Sequence, residues 1–198
     1  MARKGPVAIN TDAVALGLAQ IRIGASLANI ASTDAVLTAS DSIGSLANTR
    51  FVGNTDWYKL EGGFPLLEEY TTPIRESAQL ECAFRETTPA NLALAYGYDP
   101  AALPYSGYEA HSGEVPLGGR SAPAYVRMEA IYTYPNGTSH MYIIAPRAQV
   151  SASAEMDFAE EDAAAVPIVI EFKRADSELA SGGHAVWDDR PLGRIYWD

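Results

Sequence analysis

Hydrophobic and polar residues alternate from Ser77 to Arg85, which is the two-residue period of a strand that buries one face. The alternation puts Leu80, Cys82 and Phe84 on the buried face, and Gln79, Glu81 and Arg85 on the opposite face. The pattern therefore predicts a half-buried strand whose second face meets solvent or a neighbouring subunit.

The period changes directly after this strand. Thr88 is suited to the N-cap of a helix because its hydroxyl can accept from an orphan backbone amide, and Pro89 fits the first helical position. Gly97 supplies a left-handed C-cap. Between them an apolar stripe, made of Leu92, Ala95 and Tyr96, predicts packing onto a sheet. We expect this short helix to be the only substantial one.

The remaining periodic segments predict strands. Asn136-Gly137 lies between two runs of aromatic and β-branched residues, which is a strong hairpin signal because both residues tolerate a positive φ. Further strands are predicted at 13–24, 57–60, 64–70, 151–158 and 166–173, with an acidic turn at 159–165. The order of elements predicts a single mainly β domain, a β-sandwich or open barrel flanked by one short α-helix.

Four segments lack a sustained period. They are an N-terminal arm (1–12), a long loop (25–56), a turn-rich connection (99–124) and a C-terminal arm (176–198). The long loop keeps many apolar residues, so we expect it to fold against something, either a neighbouring subunit or its own domain as an extra hairpin or helix. Its apolar residues are Leu27, Ile30, Val36, Leu37, Ile43, Leu46 and Phe51.

Charge and cysteine content narrow the class of protein. The chain of 198 residues has 14 basic and 25 acidic residues, a net charge of −11, and lacks a basic stripe that would grip phosphates. Its one cysteine, Cys82, is expected to be a buried structural thiol, which excludes an intrachain disulfide. Because 1–12 lacks an apolar secretion core and 13–33 carries polar residues, we expect a soluble protein made inside the cell.

No constellation of residues predicts an active site. The three histidines, His111, His140 and His184, are far apart and lack the spacing of a metal site. Phosphate-binding, dinucleotide-binding and hydrolase-elbow motifs are missing. We therefore expect neither an enzyme nor a bound cofactor or metal.

Two segments resemble the major tail tube proteins of long-tailed bacteriophages. The strand and TPANLALAYG helix of 77–99 are similar to that family's strand followed by a helix, and YTYPNGTSHMYIIAPRAQV at 132–150 is similar to its hairpin with a PNGT turn. The VPIVIEFKRADSE strand and the segment at 57–76 resemble further parts of the family pattern. The long loop and the connection at 99–124 have no counterpart in it.

The resemblance implies a structural virion protein whose hexameric rings stack into a tail tube, an acidic conduit for double-stranded DNA. It implies self-assembly, contacts with tape-measure, tail terminator and distal tail proteins, transient DNA in the lumen and no membrane partner. The location implied is the virion tail, after synthesis in the host cytoplasm. The ring-forming sheet would contain 77–85 and 125–146.

The candidate lumen-lining and inter-ring residues follow from this reading. The lumen candidates are Glu76, Gln79, Glu81, Arg127 and Glu129. The inter-ring candidates are the seven apolar residues of the long loop together with Trp187 and Trp197 of the C-terminal arm.

Two alternatives remain open at this point. One is another ring-forming tail protein, such as a distal tail or tail-completion protein, or a capsid-decorating protein. The other is a carbohydrate-binding β-sandwich, in which Trp57, Trp187 or Trp197 would stack on sugars.

Overall fold

A computed structural model describes residues 17, 19–98, 115, 117, 123–151 and 165–198. Seven strands lie in these residues: β1 (Gln20–Ala25), β2 (Leu46–Gly62), β3 (Leu67–Phe84), β4 (Val126–Thr133), β5 (His140–Val150), β6 (Val166–Phe172) and β7 (Arg194–Trp197). Two helices accompany them, α1 (Ser26–Asn29) and α2 (Pro89–Ala95), with short 3-10 turns at Ala39–Asp41 and Ala185–Trp187.

The seven strands form one antiparallel sheet that curls almost into a barrel. The order is β1-β4-β5-β6-β3-β2, and β7 pairs with the part of β5 that β6 leaves open. The residues leading into β2 return to β1, because Ser42 forms a bridge with Arg22 and the amide of Ile43 donates to the carbonyl of Ile21 at 3.0 Å. The expected mainly β fold is confirmed.

The inner face of the sheet holds the main core. Leu80, Cys82 and Phe84 lie there, as their alternation predicts, and each is almost fully buried. They join apolar residues of five strands, the β1-to-β2 segment and α2, among them Ile21, Met128, Ala145, Ile168, Ile170, Ile43, Leu46 and Leu94. Because residues of β1 and β3 belong to one cluster, the curvature of the sheet is what closes the core.

Helix α2 begins and ends at the residues that the sequence predicts. The hydroxyl of Thr88 accepts from the amide of Asn91 at 3.2 Å, Pro89 is the first helical residue, and Gly97 has φ of 78°. The side chain of Asn91 donates to the carbonyls of Ile43 at 3.0 Å and Glu86 at 2.8 Å. This amide ties the helix to the segment that completes the barrel.

The prediction of a long loop at 25–56 is wrong for the second half of that range. Strand β2 begins at Leu46 and pairs with β3 over almost its whole length, so the short strands expected at 57–60 and 64–70 are parts of one long hairpin. Most of β2 is exposed on both faces, and it therefore has no apolar period to reveal it. Its order comes from the ladder of hydrogen bonds to β3.

The β4–β5 hairpin is confirmed, with a different turn. Thr133 pairs with His140, and the loop closes through the amide of Gly137, which donates to the carbonyl of Tyr134 at 2.9 Å. Only Gly137 has a positive φ, 73°, whereas Asn136 uses its side-chain oxygen to accept from the amides of Thr138 and Ser139. Asparagine thus acts here as a side-chain cap and not as a left-handed residue.

A buried ion pair on the outer face of the sheet holds the first half of the long loop. Nε of Arg127 donates to Oε1 of Glu129 at 2.7 Å, and both side chains are fully buried. The guanidinium also donates to the carbonyls of Asn29, Ser32 and Asp34. The carboxylate accepts from the amides of Val36 and Leu37, each at 3.0 Å. These hydrogen bonds satisfy backbone carbonyl and amide groups of an irregular segment that packs against β4.

The prediction of a C-terminal arm is wrong, because 176–198 packs onto the same outer face of the sheet. The indole of Trp187 is fully buried and donates to the carbonyl of Ile30 at 2.6 Å. Strand β7 pairs with β5, and Tyr196 stacks on Tyr142 with ring centroids 4.7 Å apart. A second small core, made of Ile30, Ile144, Ala175 and Trp187, results.

The other predicted strands have mixed outcomes. Strand β6 lies at 166–172 as expected, and β1 covers Gln20–Ala25, while 13–16 and 18 of its expected range lie outside the described residues. The N-terminal arm (1–12), nearly all of the connection at 99–124, the strand expected at 151–158 and the acidic turn at 159–165 lie largely outside the described residues.

The thiol of Cys82 is expected to resist labelling in the native protein. Burial raises the pKa of this thiol to about 12, so at pH 8 it is both protonated and covered. Labelling with iodoacetamide at pH 8, followed by mass spectrometry, should be very slow in buffer and fast in denaturing urea. Because the chain has no second cysteine, comparable rates in the two conditions would contradict the burial.

Replacing Arg127 with Met is expected to lower the free energy of unfolding by about 3–5 kcal/mol, because it leaves a buried carboxylate and three backbone carbonyls without their partner. The matched control is Arg50→Met, which breaks the exposed pair of Arg50 with Glu81 and should cost less than about 1 kcal/mol. Urea unfolding monitored by tryptophan fluorescence measures both. Equal losses in the two variants would contradict the role of the buried pair.

Candidate assembly interface

Strands β2 and β3 extend far beyond the core as a two-stranded ribbon, residues 53–78. Strand β6 pairs with β3 only from Gln79 to Phe84, so the rest of β3 has β2 as its one partner among the described residues. Along the ribbon the outer edges of both strands are unpaired within the part of the chain that the structure describes. Such long open edges favour pairing with another chain.

The ribbon carries a cluster of exposed apolar side chains on one face. Tyr58 and Leu60 are two residues apart on β2, and Tyr70 lies directly opposite Leu60, so these three side chains point to the same side. Tyr70 is 60% exposed and Leu67, nearer the turn, is 65% exposed. Exposed apolar residues in this density mark an interaction surface more often than a solvated one.

The turn of the ribbon is more exposed still. Phe64 is fully exposed and Leu66 is 67% exposed, and Ile74, further along β3, is 67% exposed as well. A two-stranded hairpin without packing is marginally stable in water, so the side chains that could stabilise it lack a partner in the monomer. The ribbon therefore has both the hydrogen-bonding groups and the apolar area to bind a further surface.

The second candidate surface is the outer face of β3, β6 and the end of β5. Gln79, Glu171 and Gln149 form one cross-strand row of half-buried polar side chains. Glu81 accepts from Gln79 at 2.8 Å and from Arg50 at 3.1 Å. This part of the outer face is polar, in contrast to the part covered by Trp187.

Most of the charges on this polar face are compensated. Hydrogen bonds from Lys173 and Ser151 lower the pKa of the Glu171 carboxyl, so it stays ionised and paired with Lys173 at 2.5 Å. Arg50 is paired with Glu81 in the same way. The face therefore offers hydrogen-bonding groups without a strong field of either sign.

The lumen candidates separate into three groups. Gln79 and Glu81 lie on the polar outer face. Glu76 is exposed, but it lies four residues from the core-facing Leu80. Because side chains alternate along a strand, Glu76 points to the opposite side of the sheet from Gln79 and Glu81. Arg127 and Glu129 are wrong as lumen residues, because both are fully buried under residues 29–37.

The inter-ring candidates divide in a similar way. Leu27, Val36, Phe51 and Trp197 are exposed, although Phe51 also packs its ring 6.0 Å from that of Phe172. The others are core residues and are wrong as direct contacts between rings: Ile30, Leu37, Ile43, Leu46 and Trp187. Burial of Trp187 also removes it from the tryptophans available for stacking on a sugar.

Sequence reasoning missed the ribbon residues that the structure makes most prominent. They are Tyr58, Leu60, Phe64, Leu66, Leu67, Tyr70 and Ile74. The available signal was Gly62-Gly63 between two runs rich in Tyr, Thr and Leu, which is compatible with a hairpin turn. The cross-strand partners of these residues were needed to identify one long hairpin.

Among the described residues no group of three or more His, Cys, Asp or Glu side chains is placed to hold a metal ion. No helix within the described ranges is long and apolar enough to cross a membrane. No protein-family model matches the chain, and no curated protein matches it significantly.

Deletion of 30–48 is expected to unfold the protein, because this segment contains Ile30, Leu37, Ile43 and Leu46 of the cores and the backbone that Glu129 binds. The segment is therefore unsuited to a test of assembly. Circular dichroism of the deleted protein should show loss of the native β spectrum.

The matched control is a shortened ribbon, in which Asn-Gly replaces 61–69 and joins the paired residues Leu60 and Tyr70 by a two-residue turn. This variant removes no buried residue and should keep the native spectrum and melting temperature. A native spectrum for the 30–48 deletion, or an unfolded shortened ribbon, would contradict the assignment of core and ribbon.

Proposed function

We propose that the chain is a self-assembling structural subunit whose hexameric rings stack into a tail tube, a conduit for double-stranded DNA in a long-tailed bacteriophage particle. The observation that carries the proposal is the projecting ribbon, which leaves open strand edges and exposed apolar side chains on one element. The sequence resemblance at 77–99 and 132–150 supplies the kind of assembly.

Assembly with copies of the chain would remove both unfavourable features of the ribbon at once. Pairing of its edges satisfies backbone groups, and a closed ring leaves no edge for uncontrolled growth. Covering an exposed Leu or Phe side chain contributes roughly 1.5–3 kcal/mol. The ribbon has several such side chains, so covering them would offset much of the entropic cost of association.

A lumen lined by the polar outer face would suit the passage of DNA. Two basic side chains of this face, Arg50 and Lys173, are each paired with a glutamate, which makes them less available to grip phosphate. The overall charge of −11 adds a weak repulsion. We assign four residues to this lining: Gln79, Glu81, Gln149 and Glu171. Arg127 and Glu129 are left out of it because they are buried.

We propose for this chain the partners and the location of a tail tube protein. They are the tape-measure, tail terminator and distal tail proteins at its axis and ends, and the tail of the virion. A ring that does not stack would indicate another ring-forming tail protein.

Negative-stain electron microscopy of the purified protein at rising concentration is the direct test. Hollow rings and tubes are expected for the native chain. The variant Tyr58→Ser, Leu60→Ser and Tyr70→Ser removes the apolar cluster of the ribbon and should remain a folded monomer. The control Tyr58→Phe, Leu60→Met and Tyr70→Phe keeps the apolar area and should form tubes.

The outcomes separate the candidates. Monomers of the native chain at every concentration would contradict self-assembly, and single rings without tubes would favour the non-stacking alternative. Tubes formed equally well by the Ser variant would show that the ribbon is not the interface.

A further inference from the structure

The tip of the ribbon, residues 61–69, has an unbalanced acidic charge. Glu61 lies directly opposite Glu68, and like charges in this position repel each other. Lys59 neutralises Glu68 at 2.7 Å, whereas Glu61 and Glu69 have no cationic partner among the described residues. The tip therefore combines fully exposed Phe64 with carboxylates that a cation from elsewhere would stabilise.

A patch of opposite character lies on the body of the protein. It consists of Leu27, Tyr125, Arg147 and Gly182, and we name it the Tyr125 patch. The guanidinium of Arg147 lies 3.5 Å above the ring of Tyr125, and Leu27 and Tyr125 are 71% and 45% exposed. The patch thus has a cation held flat on an aromatic ring and an exposed aliphatic side chain beside it.

Gly182 lies between Leu27 and Arg147 and brings the two into one surface. A side chain at this position would have its Cβ 3.5 Å from Cδ2 of Leu27 and 3.6 Å from Nε of Arg147. Its absence leaves space between the aliphatic and the cationic group. Arg147 donates to the carbonyl of Arg174 at 3.1 Å but has no carboxylate partner among the described residues.

We propose that the ribbon tip of one copy docks on the Tyr125 patch of a second copy, with Glu61 meeting Arg147 and Phe64 covering Leu27 and Tyr125. The proposal rests on the self-assembly proposed above and specifies its contact. Complementary charge and apolar content on both surfaces support it, because each surface supplies what the other lacks.

The occupant is a second copy because one chain cannot bring the two surfaces together. Arg147 lies on β5, which β6 separates from β3, and the ribbon leads away from the sheet at Ala78. From Ala78 to Leu67 the strand covers roughly 35 Å at about 3.3 Å per residue. The tip of a chain therefore lies far from that chain's own patch.

A charge exchange tests the contact. Glu61→Arg and Arg147→Glu, each alone, place like charges together and should raise the critical concentration for polymerisation by about tenfold or more. The variant carrying both changes restores the pair with reversed polarity and should polymerise within about threefold of the native chain. Sedimentation and electron microscopy measure the polymer, and circular dichroism verifies the fold.

The matched control combines Arg147→Glu with Asp56→Arg, which makes the same change of charge on the same strand about 16 Å from Glu61. This control should not restore polymerisation. Arg147→Gln is a second variant at the patch that retains hydrogen-bonding ability towards the carbonyl of Arg174, and it should weaken polymerisation without reversing the charge.

The failure of this contact and the failure of self-assembly give different results. If the native chain polymerises but the double exchange does not recover, or the single changes have no effect, the docking contact is overturned and self-assembly stands. If the native chain stays monomeric at every concentration, both proposals are overturned. Recovery by the double exchange, and not by the control, supports both.

Discussion

The ion pair between Arg127 and Glu129 is the interaction on which the outer half of the fold depends. It holds residues 29–37 against β4 by hydrogen bonds to five backbone groups. That segment in turn accepts the indole of Trp187 and provides Asp34 to Arg194 at 2.5 Å. A buried pair is weak evidence for net stability, since desolvation offsets much of the attraction, but here it specifies where an irregular segment lies. The C-terminal segment packs on the surface that this segment provides.

A second constraint is the length of β6. Its seven residues pair with β3 only up to Gln79, whereas β2 and β3 have 17 and 18 residues. The strands beyond that point belong to the sheet by hydrogen bonding but have no layer to pack on. The apolar residues of the ribbon are thus exposed by the architecture, and the main core is complete without them.

Because of these two constraints, the two ends of the sheet differ in how far the chain covers them. At the end formed by β1, β4, β5 and β7, the chain packs a hydrophobic core against each face of the sheet. At the end formed by β2, β3 and β6, one face is polar and the ribbon is uncovered. The self-assembly that we propose would use this asymmetry, because it would place the uncovered end of one subunit against the covered end of another.

Short-range features were predictable from the sequence. The cap at Thr88, the first-turn Pro89, the loop at Gly137 and the alternation through Phe84 depend on groups a few residues apart, and each lies where it was expected. The hairpin of β2 and β3 was not predictable in this way, because pairs such as Thr49 with Cys82 join residues that no local period connects.

The amino-acid sequence by itself determined which side chains share a face of a strand, because backbone pleating enforces that alternation. The same alternation separates Arg127 and Glu129 from Val126, Met128 and Ala130, which the structure places in the core. Only the tertiary structure decided that this opposite face is buried there and open at Gln79 and Glu81. The covering residues, 29–37, lie more than 90 positions away in the chain, and burial depends on that distant packing.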